Sequence, residues 1–276
     1  MSHLARGLSV LALAGLAAVL FGSPVQAQAD KVIDLPTRPG QSMRMLLLTP
    51  SGKAEGSVIL LAGGHGNLRL GKDGSIGWGK GNQLVRTRAA YAKAGFVTAV
   101  PDIAPDLKQG NGGVPRYRWS GKYAQDIGAL VKHLRGLAAP VYLVGTSRAA
   151  LSVAKAAVQL TGPERPDAIV ITSGMLMHHT DTQPSAQRNV GRLERITQPT
   201  LLVAHRNDGC SYTPASSADK FKALLTKAAK VDVKLLTGGT NTGSDPCEAD
   251  THHGFQGQDA EVVQLVAGWL KALPKP

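Results

Sequence analysis

Polar clusters follow several short apolar runs in this sequence: Gly63-Gly64-His65-Gly66, Gly145-Thr146-Ser147-Arg148-Ala149, His205-Arg206-Asn207-Asp208 and His252-His253-Gly254-Phe255. In chain order they supply a serine, an acid and a histidine. A serine hydroxyl is a poor nucleophile until a base takes its proton. An imidazole serves as that base when a carboxylate holds its tautomer and stabilises its charged form. Each residue also has a plainer use. Ser147 can cap a helix, and Asp208 can make the turn in Asn207-Asp208-Gly209. Asp102 and Asp106 follow an earlier apolar run and read as structural.

Residues this far apart in the chain need a scaffold to meet. Apolar runs at 32–35, 43–48, 58–62, 96–100, 141–144, 168–171, 200–204 and 231–236 read as strands. Helical patterns lie between them, at 83–94, 149–160 and about 216–228. Tyr123, Ile127, Leu130, Val131, Leu134 and Leu137 share one helical face, as do Val262, Val263, Val266, Trp269, Leu270 and Leu273. Strands alternating with helices predict a mostly parallel sheet covered on both faces. The strands are continuously apolar rather than alternating, which says the same. In such sheets the chemistry sits beyond the carboxyl ends of the strands, where the polar clusters fall.

With these residues in place, the chain resembles the α/β-hydrolase family. That fold's nucleophile elbow is small-x-Ser-x-small, and Gly145-Thr146-Ser147-Arg148-Ala149 fits, with Ala149 where Gly is commoner. The family's order of Ser, then Asp or Glu, then His is also met. The resemblance implies a central sheet of about eight strands, with Ser147 as nucleophile, Asp208 as orienting acid and His253 as base. His253 is preferred over His252 because the family often shows its histidine before a small residue and an aromatic. The resemblance also puts the oxyanion donors on the backbone N–H groups of His65 and Arg148. The implied activity is a serine hydrolase acting on carboxylic esters through an acyl-enzyme, with no cofactor. A peptidase or amidase on the same triad is the alternative, as is a binding protein on a hydrolase fold. Between Ile171 and Thr200 there is room for a short cap only, and the glycine-rich stretch from Gly64 to Gly81, with Trp78, is expected to rim the pocket.

The chain has 276 residues and is 43% hydrophobic, enough for one domain over residues 30–276. Residues 1–29 read as a secretory signal peptide: Arg6, an uncharged apolar stretch from Leu8 to Phe21, a break at Ser23-Pro24 and cleavage near Ala27 or Ala29. No other segment has the length for a membrane span. The expected location is therefore periplasmic or secreted. Export suits a disulfide between Cys210 and Cys247, which would tie the Asp208 loop to the His253 loop. The formal charge of +12 is scattered, and aromatics make up only 4%, so the composition does not point to nucleic-acid binding. His178, His179 and Asp181 raise a metal site, but adjacent loop histidines lack the spacing of zinc ligands, and no metal is expected. His205 reads as a neighbour of the site or a packed residue. Substrate identity and oligomeric state are not legible.

Overall fold

The computed structural model describes Met1 and residues 30–108, 115–179 and 181–275. The expected signal peptide lies outside the described residues, apart from Met1. Eight strands form one sheet: β1 Lys31–Arg38, β2 Gln41–Leu48, β3 Gly56–Leu61, β4 Phe96–Pro101, β5 Val141–Thr146, β6 Ala168–Thr172, β7 Thr200–His205 and β8 Val231–Leu236. Their order is β1-β2-β4-β3-β5-β6-β7-β8. The two pairings of β2 are antiparallel, and every other pairing is parallel. The helices are α1 Gln83–Arg86, α2 Arg88–Lys93, α3 Gly121–Leu137, α4 Ala150–Gln159, α5 Ala186–Asn189, α6 Ser217–Lys222 and α7 Asp259–Lys271.

The continuously apolar strands feed two cores, because successive side chains point to opposite faces. On β3, Ile59 and Leu61 join Ile127, Leu130, Leu134 and Val153 of α3 and α4 on one face. Val58 and Leu60 join Val262, Val266 and Leu270 of α7 on the other. A single run of alternating residues is thus buried twice over, which is why the middle of the sheet is rigid enough to hold a site.

Two helices are shorter than their patterns suggest. The 83–94 segment breaks at Thr87, whose hydroxyl donates to the Gln83 carbonyl at 2.6 Å and ends α1 before α2 begins. The segment expected at about 216–228 is regular only over α6. Beyond it, Leu224 and Leu225 donate three residues back, to Phe221 and Lys222, and these tighter bonds turn the chain toward β8. Among the described residues no helix is long and apolar enough to cross a membrane.

Asp102 and Asp106 both tie elements together. Asp102, just after β4, is 2% exposed and accepts from the backbone N–H groups of Leu68 (2.8 Å), Leu70 (3.1 Å) and Ile103 (2.9 Å). Leu68 in turn accepts from the N–H groups of Gly77 and Trp78, so this carboxylate fixes the loop that carries Trp78. Asp106 shares Arg38 with the buried Asp126 of α3, which fastens β1 to that helix. Asp102→Ala leaves buried donors unpaired, and each such loss is costly. The expected result is a loss of about 3 kcal/mol, read from urea unfolding midpoints at unchanged slope.

Candidate active site

Ser147 begins where β5 ends and takes a left-handed backbone conformation, φ +54°. A serine pays for that geometry in strain, and such residues cluster at functional sites. The crossing of β5 and α4 also dictates its neighbours. A Cβ on Gly145 would lie 2.6 Å from Val153 Cγ2 and 3.2 Å from Ala149 Cβ. Glycine at 145 is therefore a packing requirement, and Ala149, fully buried, has no room to be larger. The strained turn leaves Ser147 lining a cavity of about 430 Å³, together with Thr146, Arg148, Met175 and His253.

His253 is the middle residue of a short turn, His252–Gly254, after the long 237–251 loop. Its Nδ1 lies 3.0 Å from Asp208 Oδ2, with both side chains almost wholly buried. Thr213 completes this contact. Its hydroxyl donates to Asp208 Oδ2 at 2.9 Å and lies 3.0 Å from His253 Nδ1. With the hydroxyl proton given to the carboxylate, the His253 Nδ1–H faces two acceptor oxygens. That arrangement favours the tautomer whose Nε2 is free to accept a proton. The other carboxylate oxygen, Asp208 Oδ1, accepts from the Cys210 N–H at 2.9 Å and sets the carboxylate's orientation. Nothing in the local sequence marks Thr213, since its partners are five and forty positions away.

Cys210 and Cys247 are joined in a disulfide, with a sequence separation of 37. The bond links the turn after Asp208 to the loop that leads to His253, and both half-cystines line the cavity. Closing a loop of that length stabilises the chain by about 4 kcal/mol in the chain-entropy model.

The glycine turn after β3 is held from outside by a buried cation. Arg118 is 1% exposed. Its Nη2 donates to the carbonyls of Ala62 (2.7 Å), Gly63 (2.8 Å) and Gly64 (3.1 Å). The Tyr117 hydroxyl donates to the next carbonyl, that of His65, at 2.6 Å. A run of carbonyls gathered on one side leaves the turn's N–H groups to point elsewhere. Gly63 and Gly64 line the cavity and His65 is not among the lining residues; its ring packs on Trp78 at 3.7 Å between centroids. Burial, first of all, lowers the His65 pKa below the ordinary histidine value. Trp78 and Gly79 are among the residues that line the cavity.

Of the remaining sequence candidates, His178 and His179 lie apart from this cluster, while His252 and His205 adjoin it. His178 pairs with Asp181 at the surface, and His179 Nε2 is 2.8 Å from Ser217 Oγ. Among the described residues no group of His, Cys, Asp and Glu has the arrangement of a metal site. His252 stacks on His205, 4.5 Å between centroids and 5° from parallel.

His205 is fully buried at the end of β7, with Nε2 3.1 Å from the Gly238 carbonyl and Nδ1 3.1 Å from the Asn207 N–H. Those partners suit the neutral ring: one nitrogen donates and the other accepts. Burial, with the neighbouring His252 second, lowers its pKa below the ordinary value. A histidine held neutral in the fold contributes stability above the unfolded-state pKa of about 6.5. That contribution is lost as pH falls toward the folded-state value. The expected outcome is that His205→Gln, whatever its stability at pH 7, loses less stability between pH 7 and pH 5 than the parent. Urea midpoints across that range check it, and parallel curves would contradict it.

No protein-family model and no curated protein matches the chain. Solved structures do. The chain is similar to an alpha-beta serine hydrolase homologue from Coxiella burnetii, with 17% identity, TM-score 0.54, and coverage of 90% of this chain and 100% of that one. It is similar to the dienelactone hydrolase of Anabaena variabilis, with 16% identity, TM-score 0.60, and coverage of 89% and 97%. It is also similar to the Pyrococcus furiosus esterase Pf2001, with 14% identity, TM-score 0.59, and coverage of 88% and 92%. Together with the eight-stranded, mostly parallel sheet, these likenesses establish that the chain has the α/β-hydrolase fold.

Proposed function

We propose that this protein is an exported serine hydrolase of carboxylic esters, with residues 30–276 as its catalytic domain. Ser147 is the nucleophile, His253 the general base and Asp208 the residue that orients it. One observation carries the reading. A strained serine shares a cavity with a histidine whose far nitrogen is held by a buried carboxylate. No hydrogen bond joins Ser147 to His253 in this structure; such contacts are often long without substrate and tighten in the complex.

In the proposed reaction Ser147 Oγ attacks the ester carbonyl as its proton passes to His253 Nε2. The imidazolium forms against Asp208 and Thr213, then gives the proton to the leaving alcohol. Water, deprotonated by His253, releases the acid from Ser147 and restores the enzyme. The tetrahedral oxyanion needs preorganised donors. The Arg148 N–H, just after the nucleophile, is one. The glycine turn supplies the other, and the cavity lining favours Gly64 over the neighbouring His65 for that role. Arg118 acts as a positioning residue behind this turn.

Export rests on the signal-like residues 1–29 and is supported by the disulfide, which persists in oxidising compartments. The esterase and the serine hydrolase homologue among the structural neighbours agree with the reaction class. A small-molecule ester is the expected substrate.

Ser147→Ala is expected to lower kcat on any aryl ester the parent accepts by about a thousandfold. Circular dichroism and the unfolding midpoint should stay near the parent's; near-normal turnover by the variant would overturn the assignment. Thr213→Val keeps the shape and removes the hydroxyl from the His253–Asp208 contact. It is expected to cut kcat about tenfold, the worth of one charge-assisted hydrogen bond, with KM little changed. Steady-state kinetics on the same ester give both constants.

A further inference from the structure

Arg148 differs from most of the other arginines that are partly or wholly buried here. Arg38 sits on Asp106 and Asp126, Arg86 on Asp259, Arg135 on Asp167, and Arg118 on three backbone carbonyls. Arg148 has a single acceptor, Gln183 Oε1, which its Nη2 reaches at 3.2 Å. Its Nε is buried without any partner. Among the described residues no carboxylate pairs with it, and another cation, Arg118, is close enough to repel it. Burial is the main reason that its pKa lies below the ordinary arginine value. A guanidinium carries five N–H donors in a fixed fork. Withdrawing it from water without an anion is unfavourable, and an arrangement of that kind marks a functional position when it borders a cavity.

Its place in the chain makes the role specific. Arg148 is bonded to the proposed nucleophile and lines the same cavity. The carboxylates that also line the cavity, Asp245 and Glu248, lie on the exposed loop around Cys247. An anionic substrate is repelled from that loop, and the guanidinium, which holds only the neutral Gln183, has donors left for it. The formal charge of +12 favours the approach of anions in general.

Resting on the ester-hydrolase reading above, we infer that the preferred substrates are esters bearing a carboxylate, which pairs with the Arg148 side chain while Ser147 attacks the ester carbonyl. A planar carboxylate takes two parallel N–H bonds from a guanidinium. The Arg148 backbone N–H and side chain then serve separate purposes, one on the oxyanion and one on the substrate's fixed charge.

The test compares matched esters that differ in one charge. For the acyl side the pair is 4-nitrophenyl hemiadipate against 4-nitrophenyl heptanoate. For the alcohol side it is 3-carboxyphenyl butyrate against phenyl butyrate. The readout is the ratio of kcat/KM, anionic over neutral, in the parent, Arg148→Met and Arg148→Lys. Taking the ratio cancels any effect of the substitution on the shared chemistry. The parent is expected to favour the anionic member of at least one pair by about tenfold or more. Arg148→Met should bring that ratio to one or below, Arg148→Lys should keep part of it, and added salt should reduce it in the parent. A parent that hydrolyses the neutral esters as well as or better than the anionic ones overturns this inference and leaves the ester-hydrolase reading standing. So does a preference that survives in Arg148→Met. A parent that hydrolyses none of the four esters overturns the ester-hydrolase reading, and this inference with it.

Discussion

In the proposed reaction, the contact between His253 Nδ1 and the buried Asp208 carboxylate is what the rest of this architecture serves. An imidazole can take a proton at Nε2 only if Nδ1 holds one, and it can carry the resulting charge only beside an anion. Withdrawing that carboxylate from water is unfavourable unless its oxygens are satisfied. Here Oδ2 meets Thr213 and His253, and Oδ1 takes the Cys210 N–H. The partners come from two loops, one following β7 and one preceding α7. Neither loop has regular structure to hold it, and the disulfide between Cys210 and Cys247 supplies the covalent link. The β7 strand anchors one end through the fully buried His205, and α7 anchors the other through its apolar face in the core.

Two turns complete the site, one constrained by close packing and one by hydrogen bonds. At the end of β5, Ser147 takes a left-handed conformation, and α4 crosses too close for any side chain at Gly145. At the end of β3, Arg118 and Tyr117 gather consecutive carbonyls. In the proposed reaction both turns supply backbone donors, without relying on flexible side chains. That is the form of electrostatic stabilisation that requires the least rearrangement during reaction.

Much of this was legible because it is written locally. Small residues around Ser147 record a crossing distance. The continuous apolar runs of β3 to β7 record burial on both faces. The periodicity of α3 and α7 records which core each one faces. What stayed illegible depends on distant partners. Thr213 is one threonine among many until its hydroxyl is seen between Asp208 and His253. Arg118 lies over fifty positions from the carbonyls it gathers. The length of α6 was overestimated because its apolar spacing continues into Leu225, while the hydrogen bonds have already tightened.

The central claim is that this scaffold activates one serine. An organophosphonate carrying a fluoride leaving group reacts stoichiometrically with such a serine, and only sluggishly with ordinary hydroxyls. Incubating the parent protein with a slight excess, followed by peptide mass spectrometry, reads the claim directly. One adduct per chain on the peptide containing Ser147, absent when His253 is replaced by alanine, is the result this account predicts. An unmodified Ser147 under conditions that label a known serine esterase, or labelling that is indifferent to His253, would contradict it.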